Sequence, residues 1–128
     1  MARGLIAAQT LKLSSGKTYF PTLPLSAGTA ALTMTDGDDM NGHFAPIVSG
    51  RTWLLAHNTD DSAQTVTILS AADAQNRKGD ITAYSLAAGD ICTFGPFTTA
   101  GWELTSPTGL QIDVSDATVK LAVITNPA

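Results

Sequence analysis

Chemistry-bearing side chains are scarce in this 128-residue chain, which has one cysteine, one glutamate and two histidines. The single thiol, Cys92, excludes an internal disulfide and a CxxC metal site. Charged residues make up 14% of the chain, against about 25% in an average soluble domain. Seven Lys and Arg, scattered through a chain of net charge −4, form no basic stripe for nucleic acid. No apolar run approaches the roughly 18 to 20 residues that span a bilayer. The run Leu5-Ile6-Ala7-Ala8 after Arg3 also stops short of the roughly 7 to 15 residues of a signal-peptide core. No export signal is therefore read, and synthesis inside the cell is expected.

What the chain does hold is Thr, Ala, Gly and Asp. Eighteen positions are Thr, nineteen are Ala, and ten of the eleven acids are Asp. Helical bundles favour Glu, Lys, Leu and Arg instead, so a bundle is not expected. The hydrophobic fraction of 44% is too high, and the net charge too small, for intrinsic disorder. The length fits one domain.

Two regions differ in character. Residues 1–30 read as an extended N-terminal arm. Within it, Pro21 and Pro24 exclude a helix and push Phe20 and Leu23 towards extended backbone. Tyr19, Phe20, Leu23 and Leu25 give this arm apolar surface that should lie against its own domain or a neighbouring subunit. Residues 31–128 read as a β-sandwich domain. Candidate strands are Ala31 to Thr35, His43 to Val48, Thr52 to His57, Gln64 to Leu69, Ile81 to Leu86, Ile91 to Phe97, Trp102 to Thr105, Leu110 to Val114 and Val119 to Thr125. Turn clusters such as Asn58-Thr59-Asp60-Asp61-Ser62 and Ser106-Pro107-Thr108-Gly109 separate them. Short strands at this spacing, without room for helical crossovers, predict an all-β antiparallel sandwich, jelly-roll-like, of about eight strands. The Trp53-Leu54-Leu55-Ala56 run is apolar on both faces, as in a central strand covered twice. The expected core is Trp53, Leu55, Val66, Ile68, Ile91, Phe94, Ile112, Val114, Leu121 and Val123.

No catalytic constellation emerges, and no catalytic residue, cofactor or small-molecule substrate is expected. Phosphate-loop patterns and a GxSxG elbow are missing, and Glu103 has no evident carboxylate partner. His43 and His57 read as loop or strand-end side chains with solvent on one side. The loop Asp36-Gly37-Asp38-Asp39-Met40-Asn41-Gly42 fails the EF-hand pattern, with Met40 at position 5, Asn41 at position 6 and Ile47 at position 12. It reads as a turn in which Asp and Asn bond their own backbone, and no metal is expected. Cys92 reads as a small buried hydrophobe. Trp102 follows a glycine in a short strand and is the better exposed-aromatic candidate.

From Trp53 to Ile124 the order of strands and turns resembles the decoration, or cement, proteins of tailed-bacteriophage capsids. The resemblance lies in Asn58-Thr59-Asp60 ending a strand, the Thr65-Val66-Thr67-Ile68 strand and Gly79-Asp80-Ile81-Thr82 opening another. It continues through Leu86-Ala87-Ala88-Gly89-Asp90, Phe94-Gly95-Pro96-Phe97 and Val119-Lys120-Leu121-Ala122-Val123-Ile124. It covers about 70 of the 128 residues and rests on turn spacing rather than a chemical motif. It implies a virion protein on the outer capsid surface, made in the host cytoplasm. It also implies a homotrimer with the major capsid protein as partner, and no nucleic-acid or membrane contact. The partner-binding candidates are Tyr19, Phe20, Leu23, Leu25 and Trp102. A carbohydrate-binding or receptor-binding module, or another virion part such as a head-completion or tail protein, is the alternative.

Overall fold

A computed structural model of the chain describes residues 3–10, 34–72 and 79–125. Ten strands order as β1 (Gly4–Leu5), β2 (Ala8–Thr10), β3 (Thr35–Asp36), β4 (His43–Ala45), β5 (Thr52–Asn58), β6 (Gln64–Leu69), β7 (Ile81–Leu86), β8 (Ile91–Phe97), β9 (Leu110–Val114) and β10 (Val119–Thr125). A turn, α1 (Thr99–Trp102), lies between β8 and β9 and is broken by Gly101 at φ 95°. The first sheet runs β1-β4-β9-β6-β7. The second runs β2-β10-β5-β8, with β3 also on β10. The expected all-β sandwich is present.

The alternation of β-branched and polar residues sets which faces meet. Val66 and Ile68 of β6, Leu110, Ile112 and Val114 of β9, and Val119, Leu121 and Val123 of β10 all point into one core. They are joined there by Leu54 and Ala56 of β5 and by Phe94 and Phe97 of β8. Each of the Val, Leu, Ile and Phe side chains among them contributes about 1.5–3 kcal/mol on leaving water. Between the sheets this core is continuous, so the sandwich closes without a helix.

The sandwich is not purely antiparallel. β1 pairs parallel with β4, and β2 pairs parallel with β10. The chain passes from one sheet to the other between Leu5 and Ala8, and Ile6, buried at that crossing, joins the core. Residues 4–10 thus belong to the sandwich rather than to an arm that ends at residue 30. Arg3 fastens this edge, donating from Nη1 to Asp113 Oδ1 at 2.6 Å and to the Ile112 carbonyl at 3.2 Å.

Several core assignments change. Ile91 is 48% exposed. It lies three residues from Phe94, and a regular strand cannot turn both inward. Phe97 is buried instead, because the β5–β8 pairing slips between Thr52 and Leu54. One extra residue in a strand exchanges its two faces. Trp53 and Leu55 lie on the outer face of β5, since Leu54 and Ala56 fill the sandwich interior. There they pack with Met34, Ala122 and Ile124, and Leu55, Ala122 and Ile124 are buried. The expectation that this central strand is covered on both faces therefore holds. The expected strand from Trp102 to Thr105 is replaced by α1 and a single Leu104–Gly109 bridge. The strand expected from His43 to Val48 stops at Ala45.

Candidate partner-binding surface

Tyr19, Phe20, Leu23 and Leu25 lie outside the described residues. What is described is where their stretch is rooted. Val123, Ile124 and Thr125 of β10 pair with Ala8, Gln9 and Thr10. Lys120 and Leu121 of the same strand pair with Asp36 and Thr35. Both flanks of residues 11–33 are therefore held on β10. The two anchor points, opposite Thr125 and Leu121, are four residues apart, or about 13 Å at the strand rise. Lys120 Nζ meets Asp36 Oδ1 at 2.6 Å and ties down the β3 anchor on the exposed face.

Beside the anchors lies the outer apolar cluster of Met34, Trp53, Leu55, Ala122 and Ile124. The Trp53 indole N–H is buried there and finds no hydrogen-bond partner among the described residues. The Trp53-Leu54-Leu55-Ala56 run, apolar on both faces, points to this second face of β5, and the structure adds its partners Ala122 and Ile124 on β10.

Trp102 is half-buried and sits edge-on to the Phe97 ring, with centroids 5.0 Å apart at 73°. Its ring packs on the main core. Much of a stacking platform is thereby committed to the fold. Three residues back along β8, Phe94 makes a similar edge contact with Tyr84, 5.4 Å between centroids. That contact spans the two sheets where β7 and β8 are the edge strands.

The remaining candidate groups are fixed by structure. Asp38 Oδ1 accepts the Met40 and Asn41 N–H groups, and Oδ2 accepts the Asn41 side-chain amide. The Asn41 donors are the main reason its carboxyl titrates below the usual range. This is the self-bonded turn that the sequence suggested. Asp60 is held low in the same way, first by the Gln64 side chain and then by the Asp61 N–H and the Ser62 hydroxyl. No cluster of three His, Cys, Asp or Glu that could hold a metal occurs among the described residues. Cys92 is half-buried and packs against the core.

His43 departs most from expectation. It is not a solvent-facing loop residue but is buried, at 3% exposure. Its Nε2 accepts the Asp38 backbone N–H at 2.8 Å. Inward-facing Ala45, two residues along the same short strand, gives the physical reason: alternation sends His43 the same way. His57, by contrast, is half-exposed on the outer face of β5, across from Lys120.

No family model matches this chain, and neither the curated proteins nor the solved structures yield a match.

Proposed function

We propose that this chain is a non-enzymatic structural protein that binds the outer surface of a phage capsid and cements adjacent major capsid subunits. The observation that carries the reading is the double tether of residues 11–33 on β10. This stretch holds Tyr19, Phe20, Leu23 and Leu25 together with two prolines. At about 3.4 Å per extended residue, it can reach at most about 40 Å from the sandwich and return. That is far enough to touch a neighbouring subunit. A segment fixed at both ends and stiffened by Pro21 and Pro24 loses less entropy on docking than a free tail.

The small charged fraction supports the same reading. Surfaces poor in Lys and Glu lose little side-chain entropy and desolvation energy when covered by protein. A homotrimer would add avidity, because its second and third contacts are intramolecular. The fold and the resemblance from Trp53 to Ile124 agree with this role.

Replacing residues 12–32 with a six-residue Gly-Ser linker spans the anchor gap and leaves residues 3–10 in the sandwich. Co-sedimentation with expanded capsids that lack the protein is then expected to show an affinity loss of about 100-fold or more, as for removing a cluster of aromatic and leucine anchors. A folded linker variant that binds like wild type would contradict the role of the stretch.

A further inference from the structure

We infer that His43 is an acid-sensitive latch that holds the N-terminal strand β1 to the sandwich. The geometry is specific. Nε2 accepts the Asp38 N–H at 2.8 Å, so the neutral ring must carry its proton on Nδ1. Nδ1 is buried and makes no well-formed hydrogen bond among the described residues. It lies against the Gly4 backbone, 3.8 Å from where a Cβ on Gly4 would sit. The imidazole is thus wedged between the acidic loop and β1, in a tautomer that only the neutral form can supply.

Protonation puts an N–H on Nε2, facing the Asp38 N–H. Two donors then oppose each other in a site that also buries a charge. The charged groups around the ring do not relieve this. The Asp38 carboxylate favours the cation, but both its oxygens already accept from Met40 and Asn41. Asp113 also favours it, and is paired with Arg3 at 2.6 Å. Arg3 itself opposes the cation. Burial is the largest influence and pushes the imidazole below its ordinary value, ahead of the opposing pulls of Asp38, the Gly4 backbone and Asp113.

The docked state therefore prefers neutral His43, and its advantage is full above the ordinary histidine pKa of about 6.5 and fades as pH falls below it. The clash falls on the turn from Asp38 to Gly42, whose Gly42 carbonyl accepts the Gly4 N–H, so the strand that gives way with it is β1. It is two residues long and is held by Gly4 N–H to the Gly42 carbonyl at 3.1 Å, Ile6 N–H to the Phe44 carbonyl at 2.9 Å, and the Arg3 contacts.

Amide hydrogen exchange on the full chain, corrected for intrinsic rates, tests the latch. Between pH 7.5 and pH 5, protection at Gly4 and Ile6 should fall relative to Leu121 by up to about 30-fold, the ceiling set by an ordinary histidine. The H43Q variant, whose amide oxygen can still accept the Asp38 N–H, should show no such fall, and H57Q should respond like wild type. If H43Q does not fold, imidazole nitrogen shifts of the wild-type chain must show the Nδ1–H form at pH 7.5. They must also titrate together with Gly4 exchange. Protection that stays within twofold at Gly4 and Ile6, a parallel fall at Leu121, or loss of the response in H57Q would overturn the proposal.

Discussion

Replacing Asn58 with alanine should lower the unfolding free energy by about 3–4 kcal/mol, from the loss of several buried hydrogen bonds. Asn58 is fully buried at the end of β5. Its side-chain amide donates to the carbonyls of Ser62, Leu86 and Ala87, at 2.9, 2.9 and 3.2 Å. Its Oδ1 accepts the Asp60 N–H at 3.0 Å. Its backbone N–H also reaches the Asp90 carbonyl, and its own carbonyl accepts the Gly89 N–H. One side chain thus ties the turn after β5 to the β7–β8 turn and so one sheet to the other. Truncation leaves the Leu86 carbonyl without its partner as well as opening a cavity. An Asn58→Asp variant keeps the volume but turns two donors into acceptors facing carbonyls, and should cost at least as much. Urea denaturation reads both. A slope of roughly 2 kcal/mol per molar would move the midpoint down by about 1.5–2 M. A midpoint within about 0.3 M of wild type would show that the amide does not bridge the sheets.

Gly109→Ala should be comparably damaging, at about 3–5 kcal/mol from backbone strain and overlap combined. Gly109 has φ 135°, a conformation that side chains rarely adopt. A Cβ there would run into the Ala45 carbonyl of β4, with Ala45 C only 2.9 Å away. Both obstacles are backbone and cannot swing aside. The Leu104–Gly109 bridge and the bonds from Gln111 Nε2 to the Thr105 and Pro107 carbonyls depend on this approach. Gly89 separates strain from overlap. It has φ 81° but open space around it, so Gly89→Ala should lose only about 1 kcal/mol. Thermal melts of the two variants should differ by roughly 10 °C or more, given about 4–8 °C per kcal/mol in small domains. Equal melting temperatures would contradict the close packing of Gly109 on β4.

The strands most legible in the sequence were those framed by clear turn residues. Gln64–Leu69, Ile81–Leu86, Ile91–Phe97, Leu110–Val114 and Val119–Thr125 have the bounds that alternation and turn residues suggest. The errors fall where a local event shifts the period. The bulge between β5 and β8 turned Phe97 inward, which no count of apolar residues reveals, whereas Ile91 faces out by plain alternation from Phe94. The parallel pairings of β1 and β2 were illegible for another reason. Gly4–Leu5 and Ala8–Thr10 are too short to carry a pattern, and long-range pairing with β4 and β10 defines them. Burial of His43 was hidden likewise, since its strand is three residues long and its partner is a backbone N–H in a loop.

The candidate partner-binding surface was legible only in part. Pro21, Pro24 and the apolar residues around them marked residues 14–30 as unlike the rest of the chain. That this stretch starts and returns on β10 could not be read, because Thr10 and Thr35 find β10 across more than 80 residues of chain. The two flanks of the stretch, Ala8–Thr10 and Thr35–Asp36, are both anchored on β10, which also carries Ala122 and Ile124 of the outer cluster. That anchoring decides how the stretch should be removed: by linker replacement between the anchors, since truncation from residue 1 would also strip β1, β2 and buried Ile6 from the sandwich.

The proposed capsid-cement role is tested most directly by how many copies of this chain a particle carries. Quantitative mass spectrometry of virus particles purified from the source of this sequence, referenced to their major capsid protein, should find copies on the order of hundreds, in a simple ratio to the shell lattice. A count of about six or twelve, the signature of a closed ring at a single vertex, or no copies at all, would contradict the account.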